Sequence, residues 1–109
     1  MNLDDLKTIL EATGLPVAYS HFVESENNPV PAPPFLCYLV AYSSNFSADN
    51  RTYTKIQNVQ IELYTDYKDI EKEIQLEEIL DENEIPYGTS EAFIESENLY
   101  QKIYEVRLI

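Results

Sequence analysis

Hydrophobic and polar positions alternate most cleanly between Val59 and Tyr64. Val59, Ile61 and Leu63 fall on one side, and Gln60, Glu62 and Tyr64 on the other. That period of two predicts a strand in a sheet with one dry face. The stretch leading into it, from Asn45 to Lys55, is polar and lacks the period. Ile56 is out of phase with Val59, Ile61 and Leu63, so a β-bulge or bend is expected near Gln57 and Asn58. Upstream, Phe35 to Tyr42 is apolar on both alternating faces. Phe35, Cys37, Leu39 and Ala41 point one way, and Leu36, Tyr38, Val40 and Tyr42 the other. Such a strand is covered on both sides; with few helices in the chain, a second subunit is a candidate for the second cover.

Two segments carry a helical period. Asn2 to Thr13 places Leu3, Leu6 and Leu10 on one face with Ile9 beside them. Asn2 is a capping residue, Asp4 and Asp5 suit the first turn, and Gly14 followed by Pro16 ends the helix. Asp66 to Asn83 is the second helix, with Asp66 as its cap and Asp69 in its first turn. Its apolar residues do not form one stripe: Ile70 and Ile74 share a face, while Leu76, Ile79 and Leu80 lie well round the cylinder. Either the contact rotates along the helix, or the helix is buried on two sides, against its own sheet and against a neighbour.

The remaining segments read as strands and connectors. Val17 to Val23, Ser90 to Ile94 and Leu99 to Ile109 are strand candidates, the last with Tyr104, Val106 and Leu108 inward and Gln101, Glu105 and Arg107 outward. Glu24 to Pro34 holds Pro29, Pro31, Pro33 and Pro34 and reads as a stiff surface loop. Ser43 to Arg51 reads as a polar turn with Phe46 stranded in it. Pro86 and Gly88 make another turn. The predicted fold is one α+β domain over residues 1–109, a mainly antiparallel sheet of four to five strands with two helices in the order α-β-β-β-α-β-β. A short repeat, Phe22-Val23-Glu24-Ser25-Glu26-Asn27 against Phe93-Ile94-Glu95-Ser96-Glu97-Asn98, marks similar turn chemistry or two acidic corners brought together.

Composition adds charge to this picture. Asp and Glu number 20 against 7 Lys and Arg, a net charge of −13. Such a surface repels nucleic acid and anionic lipid, which argues against a DNA-binding module but not against a channel that DNA passes through. Nine Tyr and no Trp fit either protein contacts or plain strand preference. One cysteine, Cys37, lies in the apolar run FLCYLVAY, so no internal disulfide forms and a reduced, buried thiol is expected. The start MNLDDLK is acidic and has no signal-peptide pattern, and no apolar run is long enough to span a bilayer.

Candidate chemistry is sparse. His21 is the lone histidine and has no neighbour typical of a nucleophile–base pair. With only Gly14 and Gly88, there is no phosphate-cradling loop. No Cys/His cluster offers zinc ligands, and neither Asp49-Asn50 nor the Glu-Ser-Glu runs have the spacing of a calcium loop. The expectation is a non-enzyme without catalytic residues, cofactor or metal.

The segments GLPVAYSHF (14–22), PAPPFLCYLV (31–40), NFSADNRTYTKI (45–56), IELYTDYKDIEKE (61–73) and LYQKIYEVRL (99–108) together resemble a family of small proteins from tailed phages and prophages of Gram-positive bacteria. These fill the tail-terminator or head–tail joining position. The resemblance covers most of the chain and is one of pattern. It implies a tail-terminator-like α+β fold and a homo-oligomeric ring, expected to be a hexamer, on the end of the tail tube. The implied partners are the tail tube protein and the head connector protein, with DNA passing through unbound and no membrane. The implied location is the virion, and the host cytoplasm during assembly. A connector or stopper role and a monomeric protein-binding module are the alternatives. Under the ring reading, Phe46 to Tyr53 is the candidate arm toward a neighbour or the tube. The candidate interface residues are Phe46, Asp49, Arg51 and Tyr53 on the arm, with Tyr38 and Tyr42 on the strand before it.

Overall fold

Period-two segments pair into one sheet, and the two helical segments cover a single face of it. The computed structural model describes residues 1–27, 29–48 and 51–108, and the side chains of these except 44–48 and 51–55. The elements are α1 (Leu3–Glu11), β1 (Val17–Tyr19), β2 (Phe35–Ala48), β3 (Arg51–Thr65), α2 (Ile70–Glu82), β4 (Gly88–Ile94) and β5 (Leu99–Leu108). The strands lie in the order β1-β2-β3-β5-β4. The fold is α+β, with the element order that the patterning predicts. The sheet is mixed, because β1 runs parallel to β2 while the other pairs are antiparallel. A parallel pair needs a long crossover, and the connection from Ser20 to Pro34 supplies it.

The helix-side core is built from the predicted stripes. Leu6 and Leu10 of α1 and Leu76 and Leu80 of α2 pack on Leu36, Val59, Ile61, Leu63, Tyr104 and Val106 of the sheet. α1 starts with a capping box: the Asn2 side chain accepts from the Asp5 amide at 2.8 Å, and the Asp5 carboxylate accepts from the Asn2 amide at 3.0 Å. Asn2→Ala is expected to cost about 1 kcal/mol, visible as a melting temperature lower by several degrees. Gly14, at φ +80°, takes the left-handed turn that ends the helix.

Three local expectations are corrected. The cap of α2 is Asp69, whose carboxylate accepts from the Lys72 amide at 3.1 Å; Asp66 lies outside the helix, because residues 66–69 turn the chain off β3 first. No register shift occurs at Gln57 or Asn58 along the β3–β5 ladder, so Ile56 stays on the face opposite Val59. The bulge at that rung is on the partner strand: Val40 pairs with Val59 and Tyr42 with Asn58, which leaves Ala41 as the extra residue. Residues 43–51 pattern as a turn, but 43–48 and 51 are strand, with a second shift that makes Tyr53 the extra residue; 49–50 lie outside the described residues.

α2 decides between the two explanations for its divided apolar surface. Leu76 and Leu80 are buried, while Ile70 is 58% exposed and Ile74 48%. The contact does not rotate along the helix; one arc is packed and the other is open within the chain.

Candidate functional site

Three features outside the core could serve function: the sheet face away from the helices, the end of the β2–β3 hairpin, and the flank of the molecule formed by α2 and β4.

The face away from the helices is covered at one end by the chain itself. Phe22, in the proline-rich connection, meets Phe35 edge-on at 5.3 Å, and Phe35 stacks on Tyr64 at 5.1 Å. This supplies cover for β2 that patterning had assigned to a possible second subunit. A cavity of about 760 Å³ remains between the connection and the sheet. It is lined by Phe22 from the first repeat copy and by Ile94, Glu97 and Asn98 from the second, so the two copies border one cavity, without Glu24 or Glu26 in its lining. His21 also lines it, with Nδ1 3.1 Å from the Ser20 hydroxyl. Deeper in, buried Glu62 accepts from the side-chain amides of Gln60 and Gln101, and Gln101 also donates to the Tyr64 hydroxyl at 2.9 Å. Burial, and then the Glu62 carboxylate, push the Cys37 thiol up to about 11. It is therefore protonated at neutral pH and unsuited to nucleophilic attack. Among the described residues no group of three or more His, Cys, Asp or Glu side chains is placed to hold a metal ion.

The hairpin end is a ribbon. β1 stops at Tyr19, opposite Tyr38, and β5 stops at Leu108, opposite Gln57. From Ser43 to Ala48 and from Arg51 to Ile56, β2 and β3 therefore pair only with each other among the described residues. The radius of gyration is 15.2 Å, where a compact chain of this length gives about 13 Å, and the longest axis is 49 Å. A two-stranded ribbon is marginal on its own in water. At its root the Ala41 bulge turns Tyr42 to the face away from the helices, in register with Asn58 and Arg107. Tyr42 is 63% exposed there.

On the third feature, a lysine holds helix and edge strand together. Lys68 contacts Glu73 at 2.8 Å and Glu91 at 2.7 Å, and Lys102 of β5 lies 3.7 Å from Glu73. The carboxylates, Glu73 foremost, raise the Lys68 ammonium, and Lys68 holds Glu91 below the usual carboxylate range. Ile70 and Ile74 lie on the arc of Glu77, seven and three residues before it, and Glu77 accepts from the Tyr104 hydroxyl of β5 at 2.7 Å. Gln75, on another arc, reaches the Thr13 carbonyl just after α1. The open isoleucines therefore lie on the side of α2 toward β5 and β4, away from α1.

The residues singled out from sequence are dispersed. Tyr38 is a core residue at 6% exposure, edge-on to Tyr19 at 5.2 Å, and offers no free surface. Tyr42 is surface. Phe46, Arg51 and Tyr53 have backbone in the ribbon, but their side chains lie outside the described residues, as does Asp49 altogether. Patterning sets Ile70 and Ile74 apart as a second apolar arc with a neighbour as one candidate cover, but it does not place that arc beside β4. No family model matches the chain, and no curated protein matches it.

Proposed function

We propose that the chain is a ring-forming structural component of a tailed phage or prophage, capping the tail tube and forming the head–tail joining interface. The observation that carries this is the backbone ribbon of Ser43–Ala48 and Arg51–Ile56, where among the described residues β2 and β3 pair with each other beyond the last rungs of β1 and β5. A two-stranded ribbon is marginal alone and is stabilised by a further strand or a packed partner. The resemblance to tail terminators supplies the class of partner: further copies in a ring, expected to be a hexamer, the tail tube protein and the head connector protein. The charge of −13 suits a lumen that DNA crosses without sticking. On this reading the protein is not an enzyme and acts in the virion after assembly in the host cytoplasm.

The alternative of a monomeric binding module draws support from the self-made cover over Phe35 and Tyr64, which leaves an open cavity beside it. Deletion from the parent phage, followed by electron microscopy, separates the roles. Over-long tails without heads are the expected result. Normal tails beside unattached heads would move the role to connector or stopper, and intact virions would exclude both.

A further inference from the structure

The sheet ends at β4 as though a strand were missing. The opposite edge, β1, is only three residues long and ends at Tyr19, just before Ser20 with its φ of +67°. β4 runs for seven residues in unbroken register with β5 and contains no proline and no bulge. Natural edge strands are usually blunted by such devices, or by free charge. The one charge on β4, Glu91, is taken up by Lys68. Its helix-side face carries Phe93, 45% exposed, and above the same flank stand Ile70 and Ile74. A strand added to β4 would continue the sheet beneath α2 and cover these three residues.

We infer that the missing strand comes from the paired segments Ser43–Ala48 and Arg51–Ile56 of a second copy. Length fits: six paired residues span about 20 Å, close to the reach of β4. Charge fits as well. Residues 43–57 hold Arg51 and Lys55 against Asp49, net +1, which leaves −14 on the remainder of the chain. Glu71, Glu78 and Asp81 flank the open isoleucines on α2 and are exposed. The most basic stretch of one copy thus meets a strongly acidic flank of the next. Donor and acceptor are different surfaces of one chain, so the contact is heterologous, the kind that closes into rings. The inference rests on the ring reading only in requiring more than one copy.

Two full-length versions test it, one with Thr54→Cys and the other with Ala92→Cys, distinguishable by mass and mixed under mild oxidation. Cys37 is buried and its thiol is protonated, so it stays silent. The expected product is a mixed cross-link that exceeds either self-pairing. Ile70→Lys with Ile74→Lys, both on the surface, should slow its formation about tenfold without lowering the melting temperature. Folded versions that give no mixed product, or only self-paired products, overturn the contact. An unchanged rate in the double variant overturns the placement beneath α2. Tail length in the deletion phage is scored separately. Over-long tails without the cross-link would remove this contact alone, and the cross-link with normal tails would remove the tail-capping reading alone.

Discussion

Tyr104→Ala is expected to lower stability by about 3–5 kcal/mol, a large share of the roughly 5–15 kcal/mol that holds a domain of this size. The residue is fully buried on β5, in register with Ile61 of β3 and Thr89 of β4. It meets Tyr87 edge-on at 5.5 Å, and its hydroxyl donates to Glu77 of α2. Truncation empties the space between sheet and α2 and leaves the Glu77 carboxylate without its donor. Tyr104→Phe separates the two contributions. It keeps the ring and removes only the hydrogen bond, and Glu77, being half-buried, can turn to water, so a cost of about 1 kcal/mol is expected. Urea unfolding of both variants measures this. A Phe variant as unstable as the Ala variant would place the energy in the hydrogen bond rather than the ring.

What could be read from sequence tracks what the chain decides locally. Val59, Ile61 and Leu63 lie on the helix side as their period requires, and Leu6, Leu10, Leu76 and Leu80 are the helix contacts. Asn2 and Gly14 bound α1 through a cap and a left-handed turn, both short-range. The misreadings involve the pairing partner. Ile56 out of phase implied a bulge in β3, but the extra residue is Ala41 across the ladder, because a register mismatch can be absorbed by either strand. Ser, Asn and Asp dominate 43–50 and predict a turn over 43–51, where 43–48 and 51 pair as strand. Thr52, Tyr53, Thr54 and Ile56 were the strand-forming signal within the ribbon. The candidate site was less legible than the fold. Ile70 and Ile74 were visibly out of stripe, but their place beside a free edge depends on β4 lying outermost, which no local pattern records.

The same buried groups make the fold sensitive to alkali. Burial raises the Cys37 thiol from 9.0 to about 11 and the Tyr64 hydroxyl from 10.0 to about 12, in both cases with the Glu62 carboxylate as the next cause. Tyr104 is raised above the usual tyrosine range by burial and by Glu77. As pH climbs past about 9, the unfolded chain loses these protons while the folded chain keeps them. The unfolded state then binds fewer protons, so stability falls with rising pH. The contribution is intact below the unfolded pKa values and is lost as pH rises through the folded ones. For Cys37, which is buried, the loss is on the order of 2 kcal/mol by about pH 11. Tyr64 is partly exposed and adds less. Lys68 works in the same direction, because its raised ammonium anchors Glu73 and Glu91 only while protonated. The urea midpoint should therefore hold steady from neutrality to about pH 9 and then drop steeply. Cys37→Ala removes one of the titrating groups and should flatten that drop, though the variant starts from a lower midpoint because the core loses the sulfur. A midpoint unchanged up to about pH 11 would contradict the burial of these groups. An equal slope in wild type and Cys37→Ala would assign the effect to the tyrosines and Lys68 alone.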